Sequence, residues 1–355
     1  MMIRLSGPHR RPTNKETIMK AVAYRTSLPI THADALLDLE LPAPRAGGRD
    51  LLVEVKAVSV NPVDAKMRKR AEPAPGAPQV LGWDAAGVVK AVGPDVTLFR
   101  PGDRVWYAGS IARPGSNSEL HLVDERIVGH MPASLDFGAA AALPLTAITA
   151  WELLFERLQV GRGADAQGKS LLVVGAAGGV GSILVQLARQ LTGLTVIGTA
   201  SRPETADWVR RLGAHHVIDH GKPLSEEIAR LGLPPVDYVA SLTHSDAHFA
   251  QIVELIAPQG KLGLIDDPAE LDVSLLKRKS ISLHWELMFT RSLFQTADMH
   301  KQHELLDEVA RLVDAGVLKS TLAERFGKID AANLKRAHAV IESNKARGKI
   351  VLEGF

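Results

Sequence analysis

A glycine-rich segment in the middle of the chain has the composition of a turn that binds phosphate. Residues 175–181 read Gly-Ala-Ala-Gly-Gly-Val-Gly; they follow an apolar run at 171–174 and precede a segment, 182–191, whose apolar residues recur at helical spacing. Glycines let the backbone approach a pyrophosphate, and the N–H groups at the start of a helix hold its negative charge. The segment departs from the strict G-x-G-x-x-G pattern at one residue, because Ala176 stands at the first glycine position. The alternative is a tight strand-to-helix turn that binds no ligand. The context favours a dinucleotide site formed by Ala176, Ala177, Gly178, Gly179, Val180 and Gly181.

The residues about twenty positions further on indicate which dinucleotide is bound, because an acid there bonds the ribose 2′-hydroxyl of NAD. In this chain the segment ends in Ser201 and Arg202, and no acid occurs before Glu204. A hydroxyl and a guanidinium suit a 2′-phosphate. The sequence therefore predicts NADP(H) as the cofactor, with an ordinary solvated arginine as the alternative reading of Arg202.

A second phosphate-loop pattern lies just before the glycine-rich turn. Residues 163–170, Gly-Ala-Asp-Ala-Gln-Gly-Lys-Ser, match the loop that binds nucleoside triphosphates. That loop must follow a strand and open a helix, whereas this segment precedes the predicted strand at 171–174. We therefore predict a surface turn.

Composition excludes several classes of function. The 355 residues predict two domains at about 150 residues each. The net charge is +2 and no long basic run occurs, which argues against nucleic-acid or membrane partners. The chain has no Cys, so disulfides, thiol nucleophiles and thiolate metal sites are excluded. The longest uncharged stretch, 137–151, is shorter than the roughly 18 residues of a membrane span and contains Pro144, so we expect a soluble, cytoplasmic protein.

The spacing of apolar runs predicts two kinds of architecture. From residue 19 to 143, short apolar runs separated by Pro and Gly are typical of a mostly antiparallel β domain. From residue 146 onward, strand-like runs alternate with helical segments, which predicts a doubly wound parallel sheet. Helices at 303–315 and 331–343 and a short strand at 349–352 close the chain. Residues 1–18 are predicted to be a flexible extension, and either Met1 or Met19 is the start of translation.

Five motifs together resemble the medium-chain dehydrogenase/reductase superfamily, in its zinc-free, quinone-oxidoreductase-like branch of zinc-type alcohol dehydrogenase-like proteins. Besides the glycine-rich turn, they are Ser-Val-Asn-Pro-Val-Asp at 59–64, Leu-Gly-Trp-Asp-Ala-Ala-Gly at 81–87, Pro-Gly-Asp-Arg-Val at 101–105 and Ala-Ala-Ala-Leu-Pro at 140–144. The resemblance, which covers about 19–355, implies an α/β fold. A Rossmann domain at 146–292 would be inserted between two parts of a GroES-like, mostly β substrate domain, 19–145 and 293–355. It also implies a cleft between the domains and a homodimer.

The chain departs from the zinc-dependent members of this superfamily. Where they place a Cys and a His-Glu pair, it has Asn61 and Trp83-Asp84. Without three protein ligands and an open position, a zinc ion cannot polarise an alcohol. We therefore predict no metal. The alternative is a site built on one of three histidine groups, which lack an obvious third ligand on the same element: His244 with His248, His300 with His303, or His215 with His216 and His220.

Hydride transfer without zinc needs another group to stabilise the charge that develops on the acceptor oxygen. The resemblance places Lys66 where reductases of quinones and α,β-unsaturated carbonyls have a substrate-facing lysine, and we predict that it anchors the carbonyl; a solvated lysine in a basic turn is the alternative. By the same resemblance, Asn61 supplies a catalytic or cofactor-binding amide, and Thr146 contacts the nicotinamide. A helix N-cap is the alternative for Thr146.

Further candidates come from the ends of predicted strands, where ligands collect in doubly wound sheets, and from large apolar side chains. The expected cofactor contacts are Ser241, Leu242, Leu264 and Ile265, together with Lys349, which matches a family position near the cofactor and is otherwise an exposed lysine. The expected substrate pocket contains Trp83, Trp106, Trp285 and Phe289.

These features favour an NADPH-dependent oxidoreductase that transfers hydride, without zinc, to a quinone or an α,β-unsaturated carbonyl. Two alternatives remain open. One is an NADPH-binding protein with a regulatory or structural role and no turnover, since fold does not determine function. The other is an alcohol dehydrogenase that uses a non-thiolate metal.

Overall fold

A computed structural model describes residues 17–355 of the chain, so all but the end of the predicted extension lies outside the described residues. The part before residue 144 is a mostly β domain, which also takes up two strands from the C-terminal region. Its strands are β1 (Ile18–Tyr24), β2 (Leu37–Pro42), β3 (Asp50–Val60), β4 (Gln79–Val80), β5 (Ala85–Val92), β6 (Arg104–Tyr107), β7 (Leu120–Asp124) and β8 (Val128–His130), and its helices are α1 (Pro62–Arg70) and α2 (Phe137–Ala141).

The next part of the chain is a parallel-sheet domain. It begins with α3 (Pro144–Trp151) and continues through β9 (Ser170–Val174), α4 (Gly179–Leu191), β10 (Thr195–Thr199), α5 (Pro203–Arg211), β11 (His216–Ile218), α6 (Leu224–Arg230), β12 (Val236–Ser241), α7 (Ser245–Leu255), β13 (Ile256–Leu264) and β14 (Ser282–Trp285). The remaining elements are α8 (Thr290–Phe294), α9 (Lys301–Asp314), β15 (Leu322–Arg325), α10 (Ala331–Glu342) and β16 (Lys349–Glu353).

The C-terminal strand, β16, pairs with β3 from the N-terminal part of the chain. Strand β16 lies between β15 and β3 in the seven-stranded sheet of the β domain, and Ile350 is paired antiparallel with Val60. Strand β3 ends directly before Asn61 and α1. The pairing therefore brings Lys349, the first residue of β16, beside the start of α1.

The six strands of the second domain are all parallel and run in the order β11-β10-β9-β12-β13-β14. The chain first builds outward from β9 to β11 and then returns to the other side of β9 with β12. The carboxyl ends of β9 and β12 thus flank the crevice at which such sheets bind ligands. All five residues of β9 are buried, which explains the unbroken apolar run at 171–174.

Helix-length apolar segments in this chain belong to the core. The segment 137–157, which contains α2 and α3 and ends in a π-helical turn at Glu152–Arg157, is long and apolar enough to cross a membrane, but 89% of its most apolar 18-residue stretch is buried inside the protein. The loop at 163–170 contains one 3-10 turn, at Ala164–Ala166, and leads into β9 rather than into an α-helix. Most of its residues are exposed, so the prediction of a surface turn there is confirmed.

Candidate active site

A cleft of about 520 Å³ lies where the carboxyl ends of β9, β10, β12 and β13 face α1 of the β domain. Both domains contribute to its walls. The predicted site residues that line it are Asn61, Lys66, Thr146, Ala177, Gly178, Gly179, Val180, Gly181, Ser201, Arg202, Leu242, Ile265, Phe289 and Lys349.

The glycine-rich turn joins β9 to α4 at the centre of this cleft. Gly175 has φ +82°, a conformation that favours glycine. At Gly181 a Cβ would lie 2.4 Å from the carbonyl oxygen of Gly175, so a side chain there would push α4 away from the turn. Ala176 does not line the cleft: it is fully buried, and its methyl group packs against Gly198. The first N–H groups of α4 face the cleft and can hold a pyrophosphate.

Ser201 and Arg202 line the part of the cleft beyond β10. The guanidinium of Arg202 lies 3.4 Å from Glu204 Oε1 and donates a hydrogen bond to Lys345 O. Sequence reasoning missed His220, which follows β11 and lines the same cleft. Its Nδ1 is buried and has no partner within the described residues. Burial, with a further contribution from His244, lowers the pKa of His220, so its ring is neutral at pH 7 and can donate or accept a hydrogen bond.

A buried lysine organises the floor of the cleft. Lys349 is 2% exposed, and its Nζ lies 3.0 Å from Val60 O, 3.2 Å from Asp84 Oδ2 and within hydrogen-bond distance of Asn61 Oδ1. Three protein oxygens therefore accept from the three N–H groups of the ammonium. Its stem packs against Gly179, where a Cβ would lie 2.9 Å from Cδ. The reading of Lys349 as an exposed lysine is wrong, and a bound cofactor would meet its stem rather than its charge.

Asn61 is held by the same cluster. Its Nδ2 donates to Asp84 Oδ2 at 3.1 Å and to Ser59 O at 3.3 Å, while its Oδ1 accepts from Lys349. Both amide N–H groups are thus committed to the protein, so the predicted contact of the Asn61 amide with a cofactor or substrate could be made only through Oδ1. One lone pair of Oδ1 remains for a cofactor hydroxyl or amide.

Burial dominates the electrostatics of this cluster. It raises the pKa of Asp84 and lowers that of Lys349, although the attraction between the two charges opposes both shifts. Burial also raises the pKa of Asp64 to about 7, against the hydrogen bond that its carboxylate accepts from the backbone of Asn61. Asp64 thereby caps the start of α1.

Thr146 is buried beside the glycine-rich turn. Its Oγ1 donates to Leu143 O at 3.0 Å, and its methyl group would be 3.1 Å from a Cβ at Gly179. The N-cap of α3 is Leu143, and Pro144 is the first helical residue. The alternative reading of Thr146 as the N-cap is therefore wrong.

Lys66 projects from α1 toward the cleft and is 40% exposed. Its Nζ lies 3.0 Å from Asp267 Oδ2, on the segment that follows β13. The bond joins the two domains across the cleft.

Two of the predicted strand-end contacts are corrected. Ser241 is fully buried and shares a hydrogen bond with Ser245, and Leu264 is fully buried in the core. Both are the last residues of their strands and point into the sheet packing. The residues that follow them face the cleft instead: Leu242, Thr243, His244, Ile265 and Asp266.

Three of the four predicted pocket aromatics do not line the cleft. Trp83 and Trp106 are core residues, and Trp83 Nε1 donates to Ser110 O. Trp285 is 53% exposed on β14, at the edge of the sheet. Phe289 does line the cleft, and Trp83 packs against it edge-on at 6.4 Å. The apolar wall beside Phe289 is formed by Met67, Leu145, Leu287 and Met288.

The residues at the positions of the zinc ligands do not fit a zinc ion. Asn61 offers an amide that is already bonded, Trp83 offers an N–H donor, and the carboxylate of Asp84 is paired with the Lys349 ammonium. Within residues 17–355, no group of three or more His, Cys, Asp or Glu side chains is arranged to hold a metal, and this includes the three histidine groups considered above.

Comparison with known proteins agrees with this architecture. Residues 47–143 match the alcohol dehydrogenase GroES-like domain, and residues 212–352 match the zinc-binding dehydrogenase family. A zinc-type alcohol dehydrogenase-like protein of Staphylococcus aureus is 39% identical over 336 residues, which is 94% of this chain and 99% of the relative. A quinone oxidoreductase of Pseudomonas aeruginosa is 34% identical over 86% of this chain and 91% of its own length.

Solved structures extend the comparison. A Rhizobium etli protein described as a zinc-dependent alcohol dehydrogenase superimposes with a TM-score of 0.93 at 60% identity, covering 96% of this chain and 99% of that one. The quinone oxidoreductase of Escherichia coli, solved with NADPH, has a TM-score of 0.79 at 25% identity, covering 94% and 99%. Fold and site thus define an oxidoreductase with a Rossmann domain joined to a GroES-like domain. The chain belongs to the medium-chain dehydrogenase/reductase superfamily, with zinc-type alcohol dehydrogenase-like proteins and quinone oxidoreductases among its relatives.

Proposed function

We propose that the protein is an NADPH-dependent oxidoreductase that reduces a quinone or an α,β-unsaturated carbonyl without zinc. One observation carries the proposal: a single cleft is lined by Ser201 and Arg202, by the glycine-rich turn, and by Lys66 and Phe289. Along this cleft, Ser201 and Arg202 match a 2′-phosphate, the glycine-rich turn matches a pyrophosphate, and Lys66 matches an electrophilic carbonyl. The unsuitability of Asn61 and Trp83 as zinc ligands supports a reaction without that metal.

The preference for NADPH follows from charge. In the loop after β10, Arg202 is 43% exposed, and its weak pair with Glu204 can be exchanged for the stronger charge-assisted bonds of a phosphate. We expect Arg202→Gln to weaken NADPH binding about tenfold and to leave NADH binding unchanged. Fluorescence titration with both nucleotides measures this. Arg210→Gln is the matched control, because Arg210 is exposed and paired with Asp207 away from the cleft. Equal loss for both nucleotides would show that Arg202 does not read the phosphate.

The chemistry assigned to the protein is electrostatic. NADPH supplies a hydride when bound, and the acceptor takes up one hydride and one proton overall. Lys66 donates a hydrogen bond to the acceptor oxygen and stabilises the negative charge that develops there. The wall formed by Leu145, Met288 and Phe289 excludes water from the reacting carbon.

Turnover tests the assignment. Purified protein is incubated with NADPH and a panel of quinones and enones, with and without a chelator, and NADPH consumption is followed. We expect consumption that the chelator does not reduce, and a roughly 10–100-fold lower kcat/KM for Lys66→Ala. Lys69→Ala is the control on the same helix, because Lys69 pairs with Glu342 and does not line the cleft. Tight NADPH binding without consumption of NADPH on any acceptor would favour the non-catalytic alternative.

We also propose that the protein is a homodimer. Strand β14 is an edge strand, and large apolar side chains are exposed on it and just after it: Trp285 at 53%, Leu287 at 50% and Phe294 at 75%. An apolar edge strand is a template for pairing with another chain. Antiparallel pairing of β14 with its copy about a two-fold axis would cover these residues.

A further inference from the structure

Three charged residues form a cluster where the two domains approach each other at the cleft. Lys66 and Arg70 lie one turn apart on α1, and Asp267 follows β13 in the parallel-sheet domain. Lys66 Nζ is 3.0 Å and Arg70 Nη1 is 3.1 Å from the same oxygen, Asp267 Oδ2. All three side chains line the cleft, so the cluster faces the space in which an acceptor binds.

The cluster contains two cations for one carboxylate. The neighbouring carboxylate, Asp266, is bonded to other partners, because it accepts hydrogen bonds from the N–H and the hydroxyl of Ser245. The other cations of α1 are bound elsewhere: Arg68 and Lys69 both pair with Glu342. Lys66 and Arg70 are therefore two cationic side chains in the cleft that share a single carboxylate oxygen, that of Asp267.

Asp267 can give up its place at low cost. Its side chain is 52% exposed, and ion pairs between exposed groups contribute little to stability. Partial burial opposes its ionisation, but the bonds and charges of Lys66 and Arg70 outweigh that effect and hold the pKa of Asp267 below its usual value. The carboxylate is thus an ionised, displaceable partner of the two cations.

We propose that Lys66 and Arg70 form an anion subsite, and that the preferred acceptors carry a carboxylate or sulfonate group next to the carbonyl or quinone that is reduced. Asp267 occupies the subsite until such an acceptor displaces it. The inference deepens the proposed function and rests on it, since it specifies the class of acceptor for the same cleft.

The geometry of α1 suits two adjacent acceptor groups. Side chains four residues apart on a helix have Cβ atoms about 5–6 Å from each other. Lys66 offers a compact ammonium to a carbonyl oxygen, while Arg70 offers a planar fork that binds a carboxylate or sulfonate through two hydrogen bonds. A conjugated keto acid or a sulfonated quinone places its two oxygen-bearing groups at a comparable separation.

Matched acceptors test the subsite by turnover. Benzoylacrylate is compared with its methyl ester, and a sulfonated naphthoquinone with the uncharged methylnaphthoquinone. In the unmodified protein, kcat/KM for the anionic member of each pair is expected to exceed that of the neutral member about tenfold, and the ratio should decrease as salt is added. Arg70→Gln should abolish the ratio, Asp267→Asn should increase it, and Lys69→Gln should leave it unchanged.

Binding tests the subsite independently of turnover. Calorimetric titration of the NADP⁺-saturated protein with the sulfonated naphthoquinone should show roughly tenfold weaker binding for Arg70→Gln. Equal binding by Arg70→Gln and unmodified protein, or equal kcat/KM for charged and neutral acceptors, overturns the anion subsite. Absence of turnover with every acceptor, together with the expected loss of binding in Arg70→Gln, would instead refute the proposed reductase activity and leave the subsite standing.

Discussion

At the residue scale, the buried ammonium of Lys349 has a marked effect on stability. Lys349→Met would leave Asp84 and Asn61 Oδ1 without a cation in the interior. We expect the free energy of unfolding to fall by about 3–5 kcal/mol, since removing one partner leaves an uncompensated buried charge. Urea denaturation measures the change. The double variant Lys349→Met/Asp84→Asn should recover part of the loss, and a single variant as stable as the unmodified protein would contradict this account.

Residue type predicted which residues line the cleft better than it predicted what each of them does there. Lys66, Asn61, Thr146 and Lys349 all line the cleft, as expected from the motifs. However, the direction in which an ammonium or amide points depends on partners far away in sequence: Lys349 and Asn61 are 288 positions apart. For this reason the motif did not indicate which atoms of the Asn61 amide remain available to a ligand.

At the element scale, the glycine-rich turn depends on close contact between β9 and α4. Gly181→Ala would place a methyl group 2.4 Å from Gly175 O. We expect a loss of about 1–3 kcal/mol in the free energy of unfolding, because overpacking forces the backbone to shift. NADPH affinity should fall as well, because the N–H groups of α4 move. Gly47→Ala is the control, since nothing lies within 4 Å of its Cβ. Unaltered NADPH affinity in Gly181→Ala would argue against a pyrophosphate at this turn.

The strand ends illustrate the limit of local patterns. The apolar runs correctly located β12 and β13, but Ser241 and Leu264, which end those strands, face the packed core. Successive strand residues point to opposite faces. The length and twist of the neighbouring strands determine which face of a strand the helices cover. They also determine which residue is the first to face the crevice. Neither property is encoded in a single segment.

At the scale of the whole molecule, the exposed apolar edge of β14 predicts the oligomeric state. Trp285→Lys combined with Leu287→Lys places charges of the same sign on the proposed interface. We expect the unmodified protein to be a dimer and the variant a monomer by light scattering, because burying unpaired charges at an interface core is unfavourable. Arg210→Gln, on another surface, should remain dimeric. A monomeric unmodified protein would refute the homodimer.

Two buried histidines predict how global stability depends on pH. Burial lowers the pKa of His121 to about 4 and that of His338 to about 3, the latter with help from the charge of Arg68. The unfolded chain takes up these protons near the ordinary pKa of about 6.5, while the folded protein does not, so stability is full above that pH and is lost as pH falls. Each histidine should cost about 2 kcal/mol at pH 5 relative to pH 7.

Urea denaturation at the two pH values measures this loss. The ring nitrogens of His338 have no partner among the described residues, so an apolar side chain can replace the imidazole. Between pH 7 and pH 5, His338→Leu should lose less free energy of unfolding than the unmodified protein, and the difference should equal the contribution of one histidine. Identical pH dependence in His338→Leu and the unmodified protein would show that this ring is protonated in the folded state.

Features that reside in short segments could be predicted from the sequence alone. The strand, glycine-rich turn and helix at 171–191, the alternation of strands and helices after residue 146, and the unsuitability of Asn61 and Trp83 for zinc all depend on residue type and spacing within one element. The three-dimensional structure was needed to show that Trp83 and Trp106 are core residues. It was also needed to show that Lys349 pairs with Asp84, and that Asp267 bridges Lys66 and Arg70. The physical reason is that burial and charge pairing are properties of three-dimensional neighbours, and here those neighbours come from two domains whose sheets close around one cleft.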